Sequence, residues 1–143
     1  MSDFTIDRDT LNAASPGFGA VAVGALAGGV GAVVGAALTP GRRLDLGAVE
    51  LGFIAGAYPA MALREESPRA VVLESAASAM FIGLAAYGLR RRSRLGIAAG
   101  LLGHAVWDVV HHLYAIGTKT PRWFPAFCSA ADVALAIQFV RAQ

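Results

Sequence analysis

Five long apolar runs, separated by short polar or basic breaks, organise this chain. The first runs from about Pro16 to Leu38 and stops at Thr39-Pro40-Gly41. The second runs from about Leu46 to Leu63 and is closed by Arg64-Glu65-Glu66-Ser67-Pro68-Arg69. The third covers about Ala70 to Leu89 and ends at Arg90-Arg91-Arg92-Ser93-Arg94. A fourth covers about Leu95 to Ile116, and a fifth runs from about Trp123 to Val140 after a loop with Lys119 and Pro121. Each run approaches the ~20 residues needed to cross a ~30 Å hydrocarbon core. The pattern predicts an all-α, polytopic membrane bundle of about five transmembrane helices. Residues 16–143 form its single domain, behind a polar tail at 1–15. Ser15 before Pro16 predicts the first helix start, by a capping hydroxyl and a proline whose missing N–H costs nothing there.

Composition agrees with that pattern. Of the 143 residues, 56% are apolar and 15% charged, against roughly 25% charged in soluble domains. The tail, with Asp3, Asp7 and Asp9 beside Arg8, lacks the basic n-region of a signal peptide. One cysteine, Cys128, excludes an intrachain disulfide. The arginines cap apolar runs with no aromatic residues interleaved, so nucleic acid is not an expected partner. Alternate loops share a side. One side collects Arg42, Arg43, Arg90, Arg91, Arg92, Arg94 and Arg141, and the other Arg8, Arg64, Arg69, Lys119 and Arg122. Lys/Arg excess marks the cytoplasm, which predicts an outer amino terminus, a cytoplasmic carboxyl terminus and a multi-pass membrane protein.

Glycines mark the first run at Gly17, Gly24, Gly28, Gly31 and Gly35, and small-xxx-small pairs recur at Gly52/Gly56 and Gly96/Gly100. Such faces let helix backbones approach closely. Their number exceeds what five helices need among themselves, which predicts a homo-oligomer or a partner in a membrane complex. Gly29-Val30-Gly31 is not a dinucleotide motif, since no strand precedes it.

Ionisable residues inside the runs change the picture most, because they are costly in lipid and face the bundle interior or a cavity. They are Glu50, Glu74, His104, Asp108, His111, His112 and Asp132. In the fourth run, His104, Asp108, His111 and His112 point in directions of about 0°, 40°, −20° and 80°, one helix face. A metal needs several N or O donors converging within ~2.0–2.2 Å of it. His104, Asp108, His111 and His112 are accordingly the expected ligands of a transition-metal ion such as Zn, Fe or Cu. Glu74, Asp108 and Asp132 are the expected acid–base groups, acting on an apolar small-molecule substrate, with Glu74 and Asp132 alternatively completing the metal's shell. Counting inward from the outer ends puts Glu74, His111, His112 and Cys128 about 7 Å deep, Asp108 and Asp132 about 12–14 Å, and His104 and Glu50 about 18–20 Å. Ser78 and Tyr58 are placed to orient the carboxylates. Trp107, Tyr114, Trp123 and Phe124 suit packing or interfacial anchoring. Cys128, one turn before Asp132, reads as an inert buried thiol. A competing reading is non-enzymatic: a small subunit of a larger complex, or a proton- or ligand-binding bundle.

The segment Gly103-His104-Ala105-Val106-Trp107-Asp108-Val109-Val110-His111-His112, followed by Pro121-Arg122-Trp123-Phe124-Pro125, Cys128 and Asp132, resembles a family of small bacterial integral membrane proteins of unknown function. The resemblance covers roughly the whole chain. It implies a five-helix, multi-pass protein of a bacterial inner membrane with these residues as its signature, and no activity.

Overall fold

The computed structural model describes residues 18–38, 40–65, 67–114, 119–121 and 123–141. The expected start at Ser15-Pro16 lies outside them. Five helices follow one another: α1 (Phe18–Leu38), α2 (Arg43–Arg64), α3 (Pro68–Arg91), α4 (Arg94–Tyr114) and α5 (Trp123–Arg141). A single 3-10 turn, Pro40–Arg42, leads into α2. Among the described residues there is no strand. Four helices, α1, α2, α3 and α5, are long and apolar enough to cross a membrane. α4 is not among them. Its three histidines and its aspartate lower its hydropathy, and its neighbours on three sides are α5, α3 and α2.

Local chemistry sets the helix ends. Ser67 caps α3 by accepting from the Ala70 N–H at 3.4 Å, with Pro68 in the first turn. α3 stops at Arg92, which adopts a left-handed φ of 49° while the Ser93 N–H reaches back to the Gly88 carbonyl at 2.9 Å. Ser93 then caps α4 through the Gly96 N–H at 3.0 Å. Two residues thus end one helix and begin the next, which holds α3 and α4 as antiparallel neighbours. Arg92 also meets Asp45 of α2 at 3.3 Å, at the arginine-rich end of the bundle. At the opposite end, the Lys119 N–H donates to Glu65. The alternation of basic and less basic ends expected from the sequence is therefore built into the fold.

Small side chains bring the helices together. α1 packs mainly on α5. A Cβ at Gly24 would stand 2.5 Å from the Trp123 carbonyl oxygen, and one at Gly28 would overlap the Phe127 carbonyl. Ala32 and Ala36 continue this face and are buried. The contact stripe is therefore Gly24-Gly28-Ala32-Ala36, a strict four-residue step, whereas a Cβ at Gly31 would meet open space. Gly100 receives Leu51, but Gly52 and Gly56 face open space. The remaining core is Leu51, Phe81, Ile97, Leu101, Leu135 and Phe139 with alanines between them. It fills the half of the bundle nearer the arginine-rich end and leaves the other half to polar groups.

Gly28→Leu should lower stability by on the order of 1–3 kcal/mol, the usual cost of overpacking. The obstacle there is backbone, which cannot move aside. Gly31→Leu should leave the melting curve unchanged. Thermal unfolding in mild detergent, followed by circular dichroism, compares the two directly.

Candidate functional site

In the half of the bundle away from the arginines, side chains from four helices meet. α4 contributes His104, Asp108 and His111 to its inward face, and these are 0%, 0% and 4% exposed. Their spacing of four and three residues makes one face, as the sequence indicated. α5 supplies Asp132, α3 supplies Glu74 and Ser78, and α2 supplies Tyr58, all buried. Tyr58 precedes Pro59, which has no N–H to give to the helix and still lies inside α2.

His104 is the hub. Its Nδ1 lies 2.9 Å from Asp132 Oδ2 and 3.4 Å from Asp108 Oδ2. The other oxygen of Asp108 accepts a hydrogen bond from the Tyr58 hydroxyl at 2.5 Å. Phe81 closes over the His104 ring, edge to face, with centroids 5.0 Å apart. The His104 Nε2 and Asp132 Oδ1 atoms are buried with no hydrogen-bond partner among the described residues. Ser129 of α5 reaches Asp108 Oδ2 at 3.4 Å and the Ala105 carbonyl at 3.2 Å.

A second pair lies one level away. His111 Nε2 is 2.7 Å from Glu74 Oε1, a close ion-pair contact without the alignment of a regular hydrogen bond. Tyr58 joins the two groups, because its ring stacks on His111 with centroids 4.5 Å apart while its hydroxyl holds Asp108. Trp107 packs edge-on against His111 at 5.5 Å, and Phe124 against Tyr58 at 5.8 Å, the packing role expected of them.

The structure sorts the expected site residues into these two groups. His104 and Asp108 stand together, and the third donor beside them is Asp132, which the sequence offered either to complete the shell or to act as base. His111 shares their face but lies seven residues along α4, about 10 Å of rise. It therefore meets Glu74 rather than His104. The His112 and Tyr114 side chains lie outside the described residues. Glu50 is half-buried on α2 and makes no hydrogen bond or ion pair with the hub among the described residues. Cys128 is a buried free thiol.

The depth estimate matched Glu74 to His111 and set His104 below Asp132. Counted from Tyr114, His104 lies ten residues in, about 15 Å, and Asp132 lies nine from Trp123, about 14 Å. The two are level. Ser129 is the participant that sequence reasoning missed. Its one available signal was its position three residues before Asp132.

Three side chains of the hub, His104, Asp108 and Asp132, each offer one ligand atom, and these atoms all lie within 4.8 Å of one another. Tetrahedral coordination with bonds near 2.0–2.1 Å separates ligand atoms by about 3.3 Å, close to the 2.9 and 3.4 Å found here. The Tyr58 hydroxyl on the far oxygen of Asp108 is the type of outer hydrogen bond that orients a ligating carboxylate. The donor set could hold a metal ion, which would take the place of the His104–Asp132 hydrogen bond.

A model for a family of unknown function, DUF6010, matches residues 19–143. The chain belongs to that family. No curated protein and no solved structure matches it. The matched region contains α2 to α5, all of α1 but its first residue, and every residue of both polar groups, so the buried cluster lies wholly within the family's own domain.

Tyr58→Phe keeps the ring on His111 and removes the donor to Asp108. It should cost about 1–3 kcal/mol, the penalty of a buried acceptor left without a partner. The exposed Tyr87→Phe should cost nothing measurable. Unfolding by SDS titration from mixed micelles measures both.

Proposed function

We propose that this protein is a membrane-embedded metal-binding protein in which His104, Asp108 and Asp132 hold one divalent transition-metal ion, Zn, Fe or Cu. The observation that carries this reading is charge. Two fully buried carboxylates converge on one imidazole nitrogen. The ion pairs found among the described residues bring no lysine or arginine to them. A protonated imidazole would offset one negative charge and leave the other, whereas a divalent cation would offset both. A centre with three protein donors is of the kind that keeps a position open for substrate or water, as catalytic metal sites do. When bound, such an ion would supply Lewis-acid or water-activating chemistry. The chain's own residues would orient Asp108 through Tyr58, fix His104 between the carboxylates, and exclude water with Phe81. The Glu74–His111 pair, beside the centre rather than in it, suits proton transfer to or from an apolar substrate.

A second reading rests on the same contacts. Asp132 held against His104 Nδ1, with Nε2 lacking a partner, is the arrangement of a carboxylate orienting an imidazole acid–base group. In that case the hub handles protons without metal. In either case the excess of arginines at one end of the bundle supports an inner-membrane location with the hub in the outer half of the bilayer.

Elemental analysis of untagged protein purified in mild detergent tests the proposal. Wild type should carry about one metal ion per chain, and His104→Ala and Asp132→Asn should each lose it. His111→Gln should keep it, since His111 meets Glu74. Folded wild type free of metal, after reconstitution with Zn, Fe(II) and Cu in turn, would overturn the metal reading and favour the proton-handling one.

A further inference from the structure

On the lipid-facing side of the hub, α1, α4 and α5 enclose a groove of about 600 Å³. That is within the ~300–1,000 Å³ range of small-molecule sites. Its walls are aliphatic, with Val21 and Ala25 from α1, Val109 and Leu113 from α4, and Val133 and Ile137 from α5. Val109, Leu113, Val133 and Ile137 are each more than a third exposed, so the groove opens sideways, toward the space lipid chains would fill. Two polar side chains line it, Asp108 and Ser129. Asp108 is fully buried, and Ser129 is the half-exposed group in front of it.

We propose that this groove binds a long-chain aliphatic alcohol, entering from the bilayer with its hydroxyl on Ser129. The apolar walls specify the chain, and the floor specifies the head. The Ser129 hydroxyl already gives its proton to Asp108 or to the Ala105 carbonyl, so toward the groove it presents lone pairs. Behind it stands the Asp108 carboxyl, itself held by Tyr58 and His104. Such a floor accepts a hydrogen bond and offers none. A neutral hydroxyl satisfies it by donating, whereas a carboxylate has no proton to give and leaves the acceptor unmatched. The head would then rest one hydrogen bond away from Asp108. The inference deepens the reading of the hub as a reactive centre by naming its substrate class, and it rests on that reading only for what happens after binding.

Photolabelling of the full chain in detergent micelles tests this. Two probes are used, a diazirine-bearing hexadecanol and the fatty acid of the same chain length, with labelled peptides mapped by mass spectrometry and bound metal measured on the same samples. The alcohol should label α4 and α5 around the groove at least about fivefold more than the acid, the factor one hydrogen bond typically supplies. Val133→Trp, which fills the groove from its exposed side, should abolish that labelling and leave the metal content unchanged. Ser129→Ala should erase the preference for alcohol over acid while retaining chain binding. Equal labelling by both probes, no labelling of α4 and α5, or labelling that Val133→Trp does not alter would overturn the proposal. Loss or absence of metal with groove labelling intact would fall on the metal reading alone.

Discussion

Two carboxylates cannot stand side by side in hydrocarbon unless something positive stands with them. That constraint governs the upper half of this bundle. Asp108 and Asp132 come from different helices and meet at one nitrogen of His104, and every neighbour is arranged around that meeting. Tyr58 crosses from α2 to hold the free oxygen of Asp108, and Ser129 backs it from α5. Phe81 and the Tyr58 ring then seal the imidazoles from outside. A divalent ion or a shared proton completes the charge balance. The protein supplies the geometry that makes either sufficient.

Close backbone approach is what allows so many polar groups to converge. Lipid tails are as apolar as leucine, so helices in a membrane gain little from burying large side chains against one another. This chain uses glycine and alanine instead. Gly24 and Gly28 let α1 lie against the backbone of α5, and Gly100 gives Leu51 its place. The apolar half of the core is accordingly rich in alanine. Tight contact there fixes the crossing of the helices, and fixed crossings set the level at which Asp132 meets His104.

Much of this was written in the sequence in a form that simple physics can read. Apolar runs and their breaks give the five helices to within about three residues at the described ends, because polar and basic residues gather where the runs stop. The α4 face was also legible, since angular position depends only on spacing. Depth was less so. His111 and His104 share a direction but stand about 10 Å apart along the axis, and which helix each meets depends on how its neighbours cross. That is why His111 pairs with Glu74 and why Asp132, rather than His111, is the third donor beside His104. Among the glycines, spacing alone could not separate Gly28, pressed on Phe127, from Gly31, which touches nothing. Ser129 was invisible for the same reason, being a common residue made special only by what stands behind it.

The cost of the site falls on α4. The other four helices are apolar enough to cross a membrane by themselves, and α4 falls short because of the residues that build the hub. Its polar face is satisfied only when α2, α3 and α5 are already beside it. The Arg92–Ser93 turn, which joins α3 to α4 without slack, delivers the first of those partners at once. Glu74 then meets His111 within a single antiparallel pair, whereas His104 and Asp108 must wait for α5 to bring Asp132. The lower-lying hub is therefore the last part of the bundle that can be neutralised. A substitution that disturbs the packing of α2, α3 or α5 against α4 should therefore disturb the buried polar cluster as well.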